Sequence, residues 1–393
     1  MGTMPTMRVL YGWVICQMKL TSLEEWFNQR LNEAGIALNG SNPWDIQLHN
    51  SDAIQRILSQ GSLGLGESYM QGDWDVPQLD AFFYRLLRAQ LHEKVKPSSL
   101  WLPYIQHKLI NKQNSKRAWQ VGEYHYNLGN TFYQAMLDKR MTYTCAYWQQ
   151  ASNLDQAQEN KLEMICQKLK LQPGMRLLDI GCGWGSLMGY AAEKYGVECV
   201  GITVSSEQIK FGQARYAHLP VEFRLQDYRA VNEQFDAIAS VGMFEHVGRK
   251  NHRKFMQVAH RCLNDEGLFL LHTIGKNMSS GITDPWLERY IFPNGDLPSI
   301  QQIANAVEGQ LVVEDLHNFG ADYDKTLMAW FHNFNQHWPE FSAEYGNVFY
   351  RKWRYYLLSC AGAFRARDIQ LWQWVLSKQG VVGGYQRPQM SLH

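Results

Sequence analysis

The chain has 393 residues, 45% of them hydrophobic and 19% charged, and a formal net charge of +1. At ~150 residues per domain this length fits two or three domains with a sizeable core. The near-neutral balance excludes a whole-protein field for nucleic acid, so no nucleic-acid partner is expected and any basic surface has to be local.

The N-terminal run "RVLYGWVICQM" is too short to span a bilayer, and Ile15 before Cys16 is too bulky for a lipoprotein cleavage site. Met18 is an alternative start, because "KLTSLEEWFNQRL" begins an amphipathic helix just after it. No segment approaches ~20 consecutive apolar residues, so no spanning helix is expected. The seven cysteines are Cys16, Cys145, Cys166, Cys182, Cys199, Cys262 and Cys360. Their odd number and the lack of a CxxC pair imply a reduced, cytoplasmic chain with no metal site.

Residues 19–92 read as a small α/β unit. "SLEEWFNQRLNEAG" is helical and stops at Gly35, "WDIQLHN" is a strand, "SDAIQRILSQG" a capped helix and "LDAFFYRLLRAQL" another helix. The glycines of "GSLGLGESYMQGDWD" read as turns. Residues 93–120 form a basic linker with no acid between Lys94 and Arg117. Lys108 and Lys112 share it with Trp101, Ile105 and Leu109 at helical spacing, a pattern that suits an anionic membrane surface or an interdomain helix. Residues 121–393 form the remaining domain. From about residue 165 strands alternate with helices: "MRLLDIG", "SLMGYAAEKYG", "VECVGITVS", "SEQIKFGQARYA", "VEFRLQD", "FDAIASVGMFEHV" and "EGLFLLHTIG". This rhythm predicts an α/β fold with a doubly wound, Rossmann-like, mostly parallel sheet whose ligand sits at the carboxyl ends of the strands. "YYLLSCAGAFRARDIQLWQW" reads as a helical-looking apolar stretch.

"LLDIGCGWGS" leaves a strand and opens a helix, and Gly181, Gly183 and Gly185 allow a tight turn and close approach of a ligand. It is not a dinucleotide fingerprint: the third glycine comes one residue early, and Thr203 stands where the second strand would end in an acid. Asp179 lies just before the first glycine instead, and Asp227 closes the third strand. This pattern resembles motif I of class I S-adenosylmethionine-dependent methyltransferases.

Eight stretches in order resemble one family within that superfamily, the bacterial cyclopropane-fatty-acyl-phospholipid synthases. They are "GLGESYMQGDWD", "HYNLGNTFYQAMLDKRMTYTCAYW", "LDIGCGWGSL", "SVGMFEHVG", "LLHTIG", "YIFPNGDLPS", "FGADYDKTLMAW" and "CAGAFRARDIQLWQ", running from about Leu63 to Trp374. Two departures are Thr144, where serine is usual, and Asn127, where aspartate is. The resemblance implies attack of an isolated alkene on the cofactor's sulfonium methyl, a carbocation, and proton loss that closes a three-membered ring. It implies bicarbonate as the base, held by backbone N–H groups of Cys145 and Ile274 and by the side chains of Glu245, His272 and Tyr323. Glu245 and His272 are expected to hold one another's protonation state. The cofactor is expected at Tyr143, Thr144, Asp179, Gly181, Cys182, Gly183, Gly185, Thr203, Gln208, Gln226 and Asp227. Tyr143, Tyr147, Trp148 and Phe244 offer aromatic faces for the cation. Cys145 reads as the floor of an anion pocket; Cys360 lies inside a family motif and is either a buried inert thiol or a reactive one.

Phospholipid acyl chains as substrate, a homodimer, and peripheral association with the inner membrane from the cytoplasm complete what the resemblance implies. Residues 19–92 would then engage lipid. Two competing functions are a methyltransferase for a small-molecule acceptor and a lipid-binding protein without turnover. Taken singly, a histidine after an apolar strand or a tyrosine in a loop is more often structural than functional.

Overall fold

The computed structural model describes residues 20–91, 129–279 and 283–389. The basic stretch 93–120 therefore lies outside the described residues. Tertiary contacts divide the chain into two units. The first gathers residues 20–91 with Asp284–Ile291 and Trp338–Asp368; the second gathers the described residues between 129 and 283, Phe292–His337 and 369–389. Two segments far along the chain thus join the N-terminal residues.

In the first unit, helices Leu20–Asn32, Asp52–Gln60, Leu79–Arg88 and Pro285–Tyr290 accompany an antiparallel pair, β1 (Gln47–Leu48) with β2 (Trp74–Asp75). Ser51 does not make the expected cap: its backbone is already helical and its side chain makes no capping bond. The glycine-rich stretch is not a set of turns but the helix Ser62–Gln71, ended by Gly72 at φ 83°. A Cβ on Gly64 would lie 2.3 Å from the carbonyl oxygen of Arg56, and one on Gly66 would lie 2.2 Å from Cδ1 of Trp286. These glycines serve close helix contact rather than chain reversal. The rings of Tyr69, Trp74, Phe82, Phe83, Trp286 and Tyr355 form the core, with Trp286 and Tyr355 centred 4.4 Å apart. Arg351 fastens the segment behind that core by donating to the carbonyls of Tyr69 (2.6 Å) and Trp74 (2.8 Å), and Arg354 to that of Val76 (3.0 Å).

The second unit is built on a seven-stranded sheet. Its strands are β3 (Arg176–Ile180), β4 (Glu198–Thr203), β5 (Val221–Leu225), β6 (Phe235–Val241), β7 (Leu263–Lys276), β8 (Val312–Asn318) and β9 (Ile369–Ser377). Their order is β5-β4-β3-β6-β7-β9-β8, parallel except where β9 runs antiparallel between β7 and β8. β3, β4 and β6 are almost wholly buried, as a parallel sheet covered on both faces requires. One apolar cluster centres on Phe235, Phe255, Phe269 and Trp372, the other on Leu177, Met188, Leu270 and Val375. The order reverses between β3 and β6, so the ligand crevice of a doubly wound sheet falls at the carboxyl ends of these two strands. The apolar stretch expected to be helical to its end stops at Ala366; Arg367 takes φ 62° and the chain re-enters the sheet as β9. Among the described residues no helix is long and apolar enough to cross a membrane.

Candidate active site

The glycine loop leaves β3 with Gly181, Gly183 and Gly185 at φ 87°, 55° and 86°. A Cβ on Gly181 would meet Met243 at 2.7 Å and one on Gly185 would meet Phe223 at 2.4 Å, so these two answer to packing as well as to the turn. A Cβ on Gly183 would meet nothing within 4 Å, which leaves the middle of the loop open to a ligand. Asp179 is buried at the end of β3 and its Oδ1 has no protein partner. Burial pushes its carboxyl up to about 7 against the opposing pull of Lys161. Cys182 is buried in the loop, and desolvation holds its thiol protonated. At the end of β4 the Thr203 hydroxyl donates to Gln208 Oε1 (2.9 Å), and the Gln226 N–H donates to the Thr203 carbonyl (3.1 Å). Asp227 caps the following turn through the Arg229 N–H (2.9 Å) and pairs with its guanidinium (2.8 Å).

The segment 142–148 is held along its length by side chains. Gln158 donates to the carbonyls of Thr142 (3.2 Å) and Thr144 (2.9 Å), and the buried Lys161 donates to Thr144 Oγ1 (2.9 Å). Both project from the helix Leu154–Lys168. The Ala146 N–H donates to Thr326 Oγ1 (3.1 Å) and the Trp148 N–H to Asp322 (2.9 Å). Within this frame Cys145 is fully buried, and its thiol donates to the neighbouring Ala146 carbonyl at 3.3 Å. Burial first, and Asp322 second, push that thiol well above its usual range. A thiol so buried stays protonated, and a neutral thiol is a poor nucleophile. Tyr143 packs edge-on to Tyr133 at 5.4 Å and tilted against Trp330 at 5.1 Å, and Tyr323 meets the same Trp330 edge-on at 5.9 Å. Tyr147 packs on Phe319, while the Trp148 indole donates to Thr326. Phe244 is a core residue, stacked on His252 at 4.4 Å and edge-on to Phe255.

Glu245 follows β6 in the short turn Phe244–His246. Its Oε1 accepts the Ile274 N–H at 2.7 Å, and its buried Oε2 has no protein partner. Burial pushes its carboxyl up to about 7, past the opposing hydrogen bond from Ile274. His272 sits on β7 in register with Gln373 of β9; its Nδ1 faces Gln373 Nε2 at 3.2 Å and its Nε2 is buried without a protein partner. Desolvation keeps the imidazole neutral. The Ile274 N–H is thus engaged by Glu245, and His272 Nδ1 has Gln373 as its neighbour. Cys360 lies in the first unit, half-buried, its thiol pushed up to about 12 by burial.

Lys161, Gln158, Thr326 and Gln373 were not anticipated from the sequence. Gln373, a polar residue inside the apolar run "LWQWVL", was the one with a visible signal. The donor set fits the expected groups. S-adenosylmethionine offers ammonium, amine and hydroxyl donors to the orphaned Asp179 carboxylate, and its approach would be open at Gly183. Bicarbonate offers both a donor and acceptors to the orphaned Glu245 Oε2 and His272 Nε2.

Comparison with known proteins agrees with this architecture. The family model described as mycolic acid cyclopropane synthetase matches residues 113–374. Cyclopropane-fatty-acyl-phospholipid synthase of Escherichia coli (strain K12) is 54% identical over 365 residues, 92% of this chain and 95% of that protein. The solved cyclopropane synthase MmaA2 of Mycobacterium tuberculosis is 32% identical, with a TM-score of 0.62 over 66% of this chain and 98% of its own. Mycolic acid cyclopropane synthase CmaA1, solved with SAH and CTAB, is 33% identical with the same TM-score of 0.62, over 66% of this chain and 98% of its own. On the family-model match and these identities together, the chain belongs to the mycolic acid cyclopropane synthetase family of S-adenosylmethionine-dependent methyltransferases.

Proposed function

We propose that the chain transfers a methylene group from S-adenosylmethionine to the cis double bond of unsaturated acyl chains in membrane phospholipids, with bound bicarbonate as the base. The observation that carries this reading is 54% identity, across 92% of the chain, to a synthase whose name states that activity. When bound, S-adenosylmethionine would supply the sulfonium methyl, and bicarbonate would take up the proton lost on ring closure.

The chain's own residues bind, orient and exclude water. Gly183 and Asp179, with the Thr203, Gln208 and Gln226 cluster, hold the cofactor at the strand ends. Tyr143 and Tyr323, joined through Trp330, present aromatic faces that stabilise a desolvated cation by ~2 kcal/mol or more. Glu245, protonated to about pH 7, keeps a donor for an anion without adding like charge. In this reading residues 19–92 and the basic stretch 93–120 grip anionic phospholipid, and the enzyme works as a homodimer on the cytoplasmic face of the inner membrane.

The test is turnover in bicarbonate-depleted buffer and in Glu245→Gln. Depletion lowers turnover and added bicarbonate restores it, while Glu245→Gln binds the cofactor normally and loses ~100-fold or more in turnover. Full turnover in depleted buffer would remove bicarbonate from the reaction.

A further inference from the structure

Behind His272 lies a buried polar row that the proposed reaction does not use directly. His272 on β7, Gln373 on β9 and His317 on β8 are cross-strand neighbours in register, so they share one face of the sheet. Lys168, at the end of the helix Leu154–Lys168, reaches into that row. Its Nζ stands 2.8 Å from Gln373 Oε1, 3.1 Å from His317 Nδ1 and 4.0 Å from Asp315. Lys168, Gln373 and His272 are all about 1% exposed or less. A lysine and a glutamine at such depth in the sheet ask for a purpose, because each is costly to bury unless paired.

The contacts of the row define one arrangement of donors and acceptors. Burial pulls Lys168 down to about 7, but charged or neutral its Nζ carries N–H donors, and the amide oxygen of Gln373 faces it at 2.8 Å. The amide nitrogen then faces His272 Nδ1, and an amide nitrogen only donates. Nδ1 must therefore accept, and the proton of the neutral ring sits on Nε2. An imidazolium would set two donors against each other at 3.2 Å, so the same geometry excludes the charged ring. Nε2 is the ring nitrogen that has no protein partner.

We infer that Lys168 and Gln373 are positioning residues that lock His272 in its neutral, Nε2-protonated tautomer, so that it offers a hydrogen-bond donor to the site and is not the proton-accepting base. The inference deepens the proposed function and rests on it only in calling the site catalytic. Under that reading His272 orients an acceptor oxygen of the anion, and the proton removed from the methyl group goes to the anion rather than to imidazole. Lys168 acts two bonds removed, through the amide, with Asp315 and Arg387 completing its surroundings.

The experiment is nitrogen NMR of the full chain with imidazole-labelled histidine. The chain has 13 histidines, and the His272 signals are assigned as those absent in His272→Gln. Wild type at neutral pH, without cofactor or lipid, shows an unprotonated Nδ1 and a protonated Nε2. Gln373→Glu places an acceptor opposite Nδ1 and inverts the pair, with turnover down tenfold or more and cofactor affinity unchanged. Lys168→Met releases the amide to flip and gives a mixture of tautomers. A wild-type Nδ1–H tautomer, or an imidazolium, overturns the inference. So does inversion in Gln373→Glu without loss of turnover. Should Gln373→Glu not fold, the wild-type and Lys168→Met spectra decide. The tautomer is read without lipid, so failure to make a lipid product would count against the proposed function and not against this arrangement.

Discussion

Cys145 and Glu245 show how burial assigns roles to individual residues. Cys145 has a fully buried thiol, a carbonyl acceptor beside it, and Asp322 to oppose ionisation. Cys145→Ala is therefore expected to keep turnover within about threefold, whereas a covalent nucleophile would lose ~1,000-fold or more. Steady-state kinetics separates the two. Glu245 makes the opposite kind of contribution, because its carboxyl titrates near 7 in the fold and near 4.5 in the unfolded chain. Between those values the folded state holds a proton that the unfolded chain has lost, so stability falls as pH rises through that window. The loss is on the order of 3 kcal/mol above pH 7. Glu245→Gln, free of cofactor, is predicted to melt level with wild type at pH 4.5 and several degrees higher at pH 8. Equal melting points at pH 8 would show that the carboxylate is not desolvated.

At this scale part of the site was legible. The residue types at 145, 245, 272 and 323 stand inside ordered motifs, and the second unit contains all four. Gln373 and Lys168 were illegible as partners because complementarity across strands depends on register, which "DIQLWQWVLS" does not carry by itself. The bond from the Ile274 N–H to Glu245 was illegible for a related reason: a backbone donor's partner is set by where a distant carboxylate lands.

Secondary structure tells a similar story. The alternation of strands and helices after residue 165 was readable because buried parallel strands and their covering helices differ in length and pattern. The helix Ser62–Gln71 was misread as turns because a glycine signals either a turn or a close approach, and only a neighbour distinguishes them. Gly64 makes the distinction testable. Alanine in a helix interior ordinarily gains about 1 kcal/mol over glycine. Here the added methyl would lie 2.3 Å from a backbone oxygen of the preceding helix, which has no rotamer to yield. Gly64→Ala is expected to destabilise by about 1–3 kcal/mol in urea unfolding. A stabilised protein would mean that these helices do not approach so closely. The same logic explains β9: "FRARDIQLWQW" switches from helix to strand at Arg367, where a left-handed φ breaks the helix.

Across the whole molecule, segments around 284–291 and 338–368 return to the N-terminal residues, which length and composition do not announce. Such returns bring residues far apart in sequence together without a local signature, and the ordered motifs run through them uninterrupted. Net charge also hides local charge: the overall +1 conceals the acid-free stretch from Lys94 to Arg117. Charge reversal of Lys108 and Lys112 together is predicted to weaken sedimentation with anionic vesicles by tenfold or more at ~0.1 M salt and to leave neutral vesicles unaffected, since each basic residue near such a surface contributes about 1 kcal/mol. Unchanged binding to anionic vesicles would leave the stretch without a membrane role.

The most direct test of the account is the product itself. Purified protein would be incubated with vesicles of cis-unsaturated phospholipid and methyl-labelled S-adenosylmethionine, and the released fatty-acid esters analysed by mass spectrometry. The account predicts a labelled acyl chain heavier by one CH2, with the double bond replaced by a ring. Tight cofactor binding with no labelled acyl chain would contradict it.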